Sequence, residues 1–158
     1  MLGSVPHLLS ADQRRSRRNG ELTSHLITHT DVESSGAEAF RMLRTGLAFA
    51  NAERKLQSIA VTSPGPSDGK STVAVNLASV LAQAGSRVLL VDADLRHPAL
   101  HSVFKHGKKP GLSDLVVLNS DPAQAIFPTG LDGLFCLPCG TARPTCLRSM
   151  EPGHCWSD

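Results

Sequence analysis

The sequence predicts an α/β fold in which helices flank a doubly wound, mostly parallel sheet, and three observations support this. Two short apolar runs, 58–62 and 87–91, are each followed by a helix candidate, and a strand–helix–strand order builds parallel sheets. A third apolar run, 134–137, follows a turn with Gly and Asp. Because a doubly wound domain normally has five or six strands, about three strands predict an incomplete sheet.

The turn after the first run, TSPGPSDGKST, leads into a helix predicted from Gly69 to Ala84. Gly-Lys-Ser at a strand-to-helix junction is typical of a phosphate-binding loop (P-loop), in which backbone N–H groups and a helix N-terminus bind phosphate. Lys70 is expected to reach the β- and γ-phosphates, and Ser71 to ligate Mg²⁺. The expected nucleotide-binding residues are Gly65, Pro66, Ser67, Asp68, Gly69, Lys70, Ser71 and Thr72.

One position departs from the common P-loop pattern. Pro64 stands where the motif usually begins with Gly. Gly65 follows directly and is expected to supply the positive φ that a tight loop needs. A plain strand-to-helix turn is the alternative interpretation.

The second apolar run, in VLLVDADLRHP, ends on Asp92 and Asp94. It is apolar on both faces, which predicts a strand covered by helices on both sides. Side chains two residues apart on an extended segment point the same way, and ligands of open α/β sheets bind at strand C-termini. Both carboxylates could therefore face one Mg²⁺; the alternative is a turn or a helix cap.

A helix is predicted from about Ala37 to Glu53, with an apolar stripe on one side. The stripe consists of Phe40, Leu43, Leu47 and Ala50, with Met42 and Phe49 beside it. Glu38, Arg41 and Arg44 lie on another face, three residues apart, where they could pair along their own helix.

Three stretches together, EAFRMLR, SPGPSDGKST and VLLVDADLRHP, resemble the bacterial tyrosine kinases that accompany capsule and exopolysaccharide export. The similarity covers about residues 31–140. The resemblance implies a P-loop ATPase of the partitioning and division-site ATPase superfamily. It also implies ATP and Mg²⁺ as cofactors, and a cytoplasmic autokinase that transfers phosphate to tyrosines on neighbouring subunits.

The resemblance also implies roles for individual residues. Lys70, Asp92 and Asp94 would be catalytic, with Ser71 and Asp94 holding Mg²⁺ and Asp92 orienting the metal's water or accepting the hydroxyl proton. The Glu38, Arg41 and Arg44 pattern fits the family's E-x-x-R-x-x-R motif, which implies a homo-oligomer interface there. A membrane polysaccharide co-polymerase is the partner that the family implies.

The chain departs from this family in two respects. It contains no Tyr, and no apolar run after Leu118 ends in the Asp of a Walker B motif. Whether the chain is active is therefore left open, and we expect it to be C-terminally truncated or frame-shifted. The alternatives are a partitioning-type switch ATPase, although those carry an extra Lys where Gly65 stands, and a non-enzymatic remnant that associates with full-length kinase.

The chain is expected to consist of a linker-like segment, 1–36, a partial P-loop domain, 37–140, and an irregular tail, 141–158. A net charge of +2 is too small to indicate nucleic-acid binding. With no run of eighteen apolar residues and no signal peptide, a cytoplasmic location is expected. The basic run RRSRR leaves open an association with the inner face of the plasma membrane.

Two further groups of residues carry weak metal-binding signals. His97 and His101 lie four apart, but no third ligand is evident. The four cysteines, at positions 136, 139, 146 and 155, fit no common zinc module, so reduced thiols are expected.

Overall fold

The structure is a computed structural model of the chain, and the residues that it describes are 26–54, 57–119 and 121–141. The basic run and the tail beyond residue 141, with two of the four cysteines, lie outside the described residues, and so do most of the linker-like segment's residues. The chain divides into two compact units, residues 1–88 and 89–158, and each is described by itself.

The described part of the first unit contains three helices: α1 (Ile27–Thr30), α2 (Ser35–Arg54) and α3 (Lys70–Gln83). The helices predicted at 37–53 and 69–84 are confirmed to within two residues at each end. Before α2, the Ser34 hydroxyl accepts a hydrogen bond from the Ala37 N–H at 3.1 Å, which satisfies one of the helix's unpaired donors.

The core of the first unit lies between α2 and α3. Phe40, Leu77 and Val80 are buried there, and the residues packed against them are Leu43, Leu47, Val73 and Leu81. The predicted apolar stripe of α2 is thus confirmed as its packing face. Beside the stripe, Met42 and Phe49 remain 66% and 74% exposed.

The strand predicted at 58–62 is wrong. Residues 57–63 belong to no helix or strand, and the sheet of the described residues contains three other segments. An apolar, β-branched composition favours an extended chain, but a strand also needs a hydrogen-bonded neighbour, which this segment does not have among the described residues.

Three strands of the described residues form a sheet: β1 (Val88–Val91), which lies in the second unit except for its first residue, β2 (Phe127–Pro128) and β3 (Leu134–Leu137). The spatial order is β1-β3-β2. The β2–β3 pair is antiparallel, with Phe127 opposite Cys136. The strands predicted at 87–91 and 134–137 are confirmed, whereas β2 was not predicted. The mixed α/β class with an incomplete sheet of three strands and flanking helices is confirmed.

The described residues of the second unit also form three short helices: α4 (Leu100–Val103), α5 (Leu112–Leu118) and α6 (Pro122–Ala125). In α6 the Asp121 carboxylate caps the helix by accepting the Ala123 N–H at 2.9 Å. Within the described residues, no helix is both long enough and apolar enough to cross a membrane.

The prediction that β1 is covered on both faces is wrong. Leu89 and Val91 are 45% and 40% exposed, while Val88 and Leu90 are half-buried. Alternate side chains of a strand point to opposite faces of a sheet, so the burial of one face does not extend to the other.

The start of α5 is bound to the chain that follows β3. The Leu112 N–H donates to the Pro138 carbonyl at 2.8 Å, and the Ser113 N–H donates to the Cys139 carbonyl at 2.9 Å. The two backbones approach so closely that a Cβ added at Gly140 would lie 2.6 Å from Ser113 Oγ. A side chain at this glycine would therefore collide with the helix.

Candidate functional site

The predicted P-loop is held by contacts between its own residues. The Gly65 N–H donates to Asp68 Oδ2 at 2.8 Å, and the Ser63 hydroxyl donates to the Gly65 carbonyl at 2.8 Å. Two side chains from opposite ends of the loop therefore fix the polar groups of one glycine.

The curvature of the loop comes from other residues than expected. Ser67 has φ 65° and Gly69 has φ 91°, whereas Gly65 is not among the glycines with positive φ. The expectation that Gly65 supplies positive φ is therefore wrong. The left-handed conformation falls instead on the two residues that flank Asp68. For Ser67 this conformation is uncommon.

The loop runs directly into the first turn of α3. Gly69 is the N-cap; it has no side chain that could cap the helix, and its carbonyl accepts the Val73 N–H at 2.9 Å. Lys70 and Ser71, the first residues of the helix, are half-buried. The partial positive charge of a helix N-terminus therefore coincides with an ammonium group and a hydroxyl, which is chemistry suited to phosphate and to a hard cation.

Asp92 lies just after β1 and is 5% exposed. Its Oδ2 accepts the N–H groups of Ala99 and Leu100, both at 3.0 Å, and its Oδ1 accepts the Asp94 N–H at 3.3 Å. The carboxylate thus joins the end of β1 to the start of α4. This is the capping contact that the sequence left open as an alternative to metal binding, and it fixes the orientation of the carboxylate.

Asp94 is half-buried and organises the turn that follows it. Its Oδ1 accepts the Arg96 N–H at 3.2 Å and the His97 N–H at 2.9 Å. Among the described residues, no cluster of three or more His, Cys, Asp or Glu side chains could hold a metal ion. A cation at Asp94 would therefore depend on hydroxyl, phosphate or water ligands as well.

Cys136 and Cys139 are buried free thiols near Asp92. Burial, and then the negative charge of Asp92, raises the pKa of Cys136 to about 12. Burial is also the first cause that raises the pKa of Cys139. Neither thiol is available as a nucleophile at neutral pH, because the thiolate is the reactive form.

His101 stands beside this region. Burial, followed by the charge of Lys108, lowers its pKa, while Asp92 acts in the opposite direction. Its Nε2 lies 3.0 Å from the Ser102 hydroxyl. The imidazole is thus held largely neutral near pH 7.

The three charged residues predicted at an oligomer interface have partners within the chain. Arg41 pairs with Glu38 at 3.0 Å and donates to the Val32 carbonyl at 2.7 Å. Arg44 reaches the Val80 carbonyl of α3 at 3.4 Å. The Glu38–Arg41 contact is the pairing along one helix that the spacing allowed, whereas Arg44 contacts the neighbouring helix, and the oligomer role remains a prediction.

The sequence analysis missed Asn76, which is fully buried on α3. Its Oδ1 accepts the N–H and the hydroxyl of Thr28 at 3.1 and 3.2 Å, and its Nδ2 donates to the Thr72 carbonyl at 2.8 Å. Asn76 thereby joins α1 to the first turn of the P-loop helix. The available signal was a lone amide within the apolar stretch VAVNLASV.

The site residues lie in both units: the P-loop belongs to the first, and Asp92 and Asp94 belong to the second. A glycine-rich loop that enters a helix at Lys70, in an α/β chain, defines a P-loop nucleotide-binding protein. Residues 59–142 match the family described as the CobQ/CobB/MinD/ParA nucleotide binding domain, and the chain belongs to this family.

Within the family, the chain is similar to bacterial tyrosine kinases. It is 37% identical over 130 residues to the tyrosine-protein kinase YwqD of Bacillus subtilis. This match covers 82% of this chain and 55% of YwqD. It is 34% identical to the BceF tyrosine kinase domain, with a TM-score of 0.82 over 98% of this chain and 62% of that domain.

A second similar structure is the chimerical protein CapA2B2. It is 37% identical, with a TM-score of 0.67, and the match covers 77% of this chain and 54% of the chimera. The chain therefore spans about half the length of the relatives that it matches, and what it matches is their nucleotide-binding portion.

Proposed function

We propose that this chain is the ATP-binding part of a tyrosine autokinase that controls the polymerisation and export of capsular or exopolysaccharide. The observation that carries the proposal is the loop that enters α3 at Lys70 in a chain 37% identical to a tyrosine-protein kinase. The match to kinases, in addition to the shared fold, favours this function over that of a partitioning-type ATPase.

ATP would bind with its phosphates at residues 65–72. The helix N-terminus and the loop amides would bind the phosphate oxygens, and the Lys70 ammonium would neutralise charge at the β- and γ-phosphates. Phosphoryl transfer depends mainly on positioning and on charge stabilisation. These are the contributions that a curved loop, a helix dipole and one ammonium group can make.

Mg²⁺ is the expected metal, and the donors present fit it, since a hydroxyl and a carboxylate are the hard oxygen ligands that it prefers. Ser71 and Asp94 would hold the ion, which neutralises charge on the transferred phosphoryl group. Asp92 would orient a metal-bound water or accept the proton of the attacking hydroxyl. Its three backbone N–H partners support the orienting role, because they hold the carboxylate in place.

Assembly is proposed on the same basis. The helix face with Glu38, Arg41 and Arg44 would meet a second copy of the chain in a homo-oligomer. A membrane polysaccharide co-polymerase is the proposed partner, as the resemblance to the capsule and exopolysaccharide kinases implies. The kinase portion would then work in the cytoplasm at the inner face of the plasma membrane.

A second candidate follows from the absence of tyrosine in the sequence. A chain without tyrosine cannot accept phosphate on its own tyrosines. In this case it would be a non-enzymatic nucleotide-binding protein that associates with a full-length kinase through α2.

Nucleotide binding tests the proposal directly. Lys70→Ala removes one charge-assisted contact and should weaken the binding of Mg²⁺-ATP by about 1.5–3 kcal/mol, which is about tenfold or more. Lys108→Ala, which removes a positive charge from an exposed loop of the other unit, is the matched control. Isothermal titration calorimetry measures both variants, and equal affinity of Lys70→Ala and the unmodified chain would overturn the phosphate site.

Turnover distinguishes the two candidates. Without a Walker B carboxylate the chain should convert ATP to ADP near the background rate, since loss of one preorganised charge commonly costs a factor of about 10²–10³. ADP formation is measured with a tyrosine-containing peptide present, because both hydrolysis and transfer of the phosphoryl group to tyrosine release ADP. Turnover on the order of 1 s⁻¹ that Asp92→Ala and Asp94→Ala abolish would rule out the non-enzymatic candidate.

A further inference from the structure

The carboxylate of Asp68 lies inside the loop that the proposed function assigns to phosphate. A carboxylate repels phosphate, so its charge is a disadvantage there. Its Oδ2 nevertheless accepts the Gly65 N–H at 2.8 Å. The side chain therefore has two properties with opposite expected effects on phosphate binding, its negative charge and its hydrogen-bond acceptor oxygen.

The acceptor supports a backbone conformation that is costly by itself. Asp68 is flanked by Ser67 at φ 65° and Gly69 at φ 91°, and a non-glycine residue in the left-handed region persists only where neighbouring contacts hold it. The contact from Asp68 to Gly65 closes the loop over Ser67, and Gly69 follows directly after it. On the other side, the Ser63 hydroxyl holds the Gly65 carbonyl at 2.8 Å.

We infer that Asp68 is a positioning residue for phosphate, which holds the loop in its curved form through the acceptor oxygen rather than through its charge. The inference rests on the proposed function, because it concerns the same loop. A loop that is already curved loses less conformational entropy when phosphate binds. Asp68 would thus favour binding by geometry and oppose it by charge.

Substitutions at this position distinguish the two effects. Asp68→Asn keeps an acceptor oxygen and removes the charge, so Mg²⁺-ATP should bind at least as tightly as to the unmodified chain. Asp68→Ala removes both, and affinity should fall about three- to tenfold, the effect of one hydrogen bond. Glu33→Gln removes one negative charge from an exposed turn outside the loop and is the matched control, expected to leave affinity unchanged.

A second measurement on the full chain without nucleotide tests the contact itself. The Gly65 amide should be protected from hydrogen exchange in the unmodified chain and in Asp68→Asn, and should exchange faster in Asp68→Ala. Equal melting temperatures of the three proteins would separate a local loop effect from general destabilisation.

The outcomes are distinguishable. Tighter binding by both Asp68→Ala and Asp68→Asn would show that only the charge matters and would overturn the inference alone. Unchanged exchange of the Gly65 amide in Asp68→Ala would do the same. Failure of the unmodified chain to bind Mg²⁺-ATP at all would overturn the proposed function, and the positioning role with it.

Discussion

Replacement of the buried amide of Asn76 should destabilise the first unit strongly. Asn76→Ala leaves the Thr28 N–H, now bonded to Asn76 Oδ1 at 3.1 Å, without this acceptor at a residue that is 1% exposed. An unsatisfied buried donor costs about 1–3 kcal/mol, and the space left by the amide adds to the loss. The expected decrease in the free energy of unfolding is about 2–4 kcal/mol.

Thr28→Val is the matched variant for this prediction. It removes the hydroxyl that donates to Asn76 at 3.2 Å but keeps the backbone hydrogen bond, so about 1 kcal/mol should be lost. Urea unfolding followed by far-ultraviolet circular dichroism measures both variants. A loss below about 0.5 kcal/mol for Asn76→Ala, or equal losses for the two variants, would refute the assignment of the amide as the link between α1 and α3.

Two further predictions concern the second unit. Gly140→Ala should lower the free energy of unfolding by at least about 2 kcal/mol more than Gly130→Ala. Both glycines have positive φ, but only at Gly140 do side-chain atoms lie within 2.7 Å of an added Cβ. Equal losses of the two variants in urea unfolding would contradict this. Burial, and then the charge of Asp92, raises the pKa of Cys136 from its ordinary value of 9.0 to about 12. As the pH rises, the thiol therefore ionises in the unfolded chain before it does so in the folded one. The free energy of unfolding should fall between about pH 9 and pH 12, by up to about 1.4 kcal/mol per pH unit. Unfolding measured at several pH values should show this slope in the unmodified chain and a flatter one in Cys136→Ala, and an identical slope in both would count against it.

Local patterns predicted much of the fold and of the candidate site. The helices α2 and α3 were found from their periodicity, because helix hydrogen bonds join residues within one element. The strands β1 and β3 were found from short apolar runs, which favour strands where a neighbouring strand is present. The position of the P-loop followed from Gly, Lys and Ser at a helix start, since the chemistry of phosphate binding lies in adjacent residues. The resemblance to tyrosine kinases rested on three such local stretches.

The sequence by itself therefore determined the class of protein, the nucleotide-binding loop and the order of most elements. Only the tertiary structure decided which contacts each residue makes. The segment 57–63 is not a strand because it has no neighbouring strand in the sheet of the described residues. Asn76 binds Thr28, which lies 48 residues away in the sequence. Hydrogen bonds between distant residues depend on how the elements pack, and no local pattern in the sequence specifies that packing.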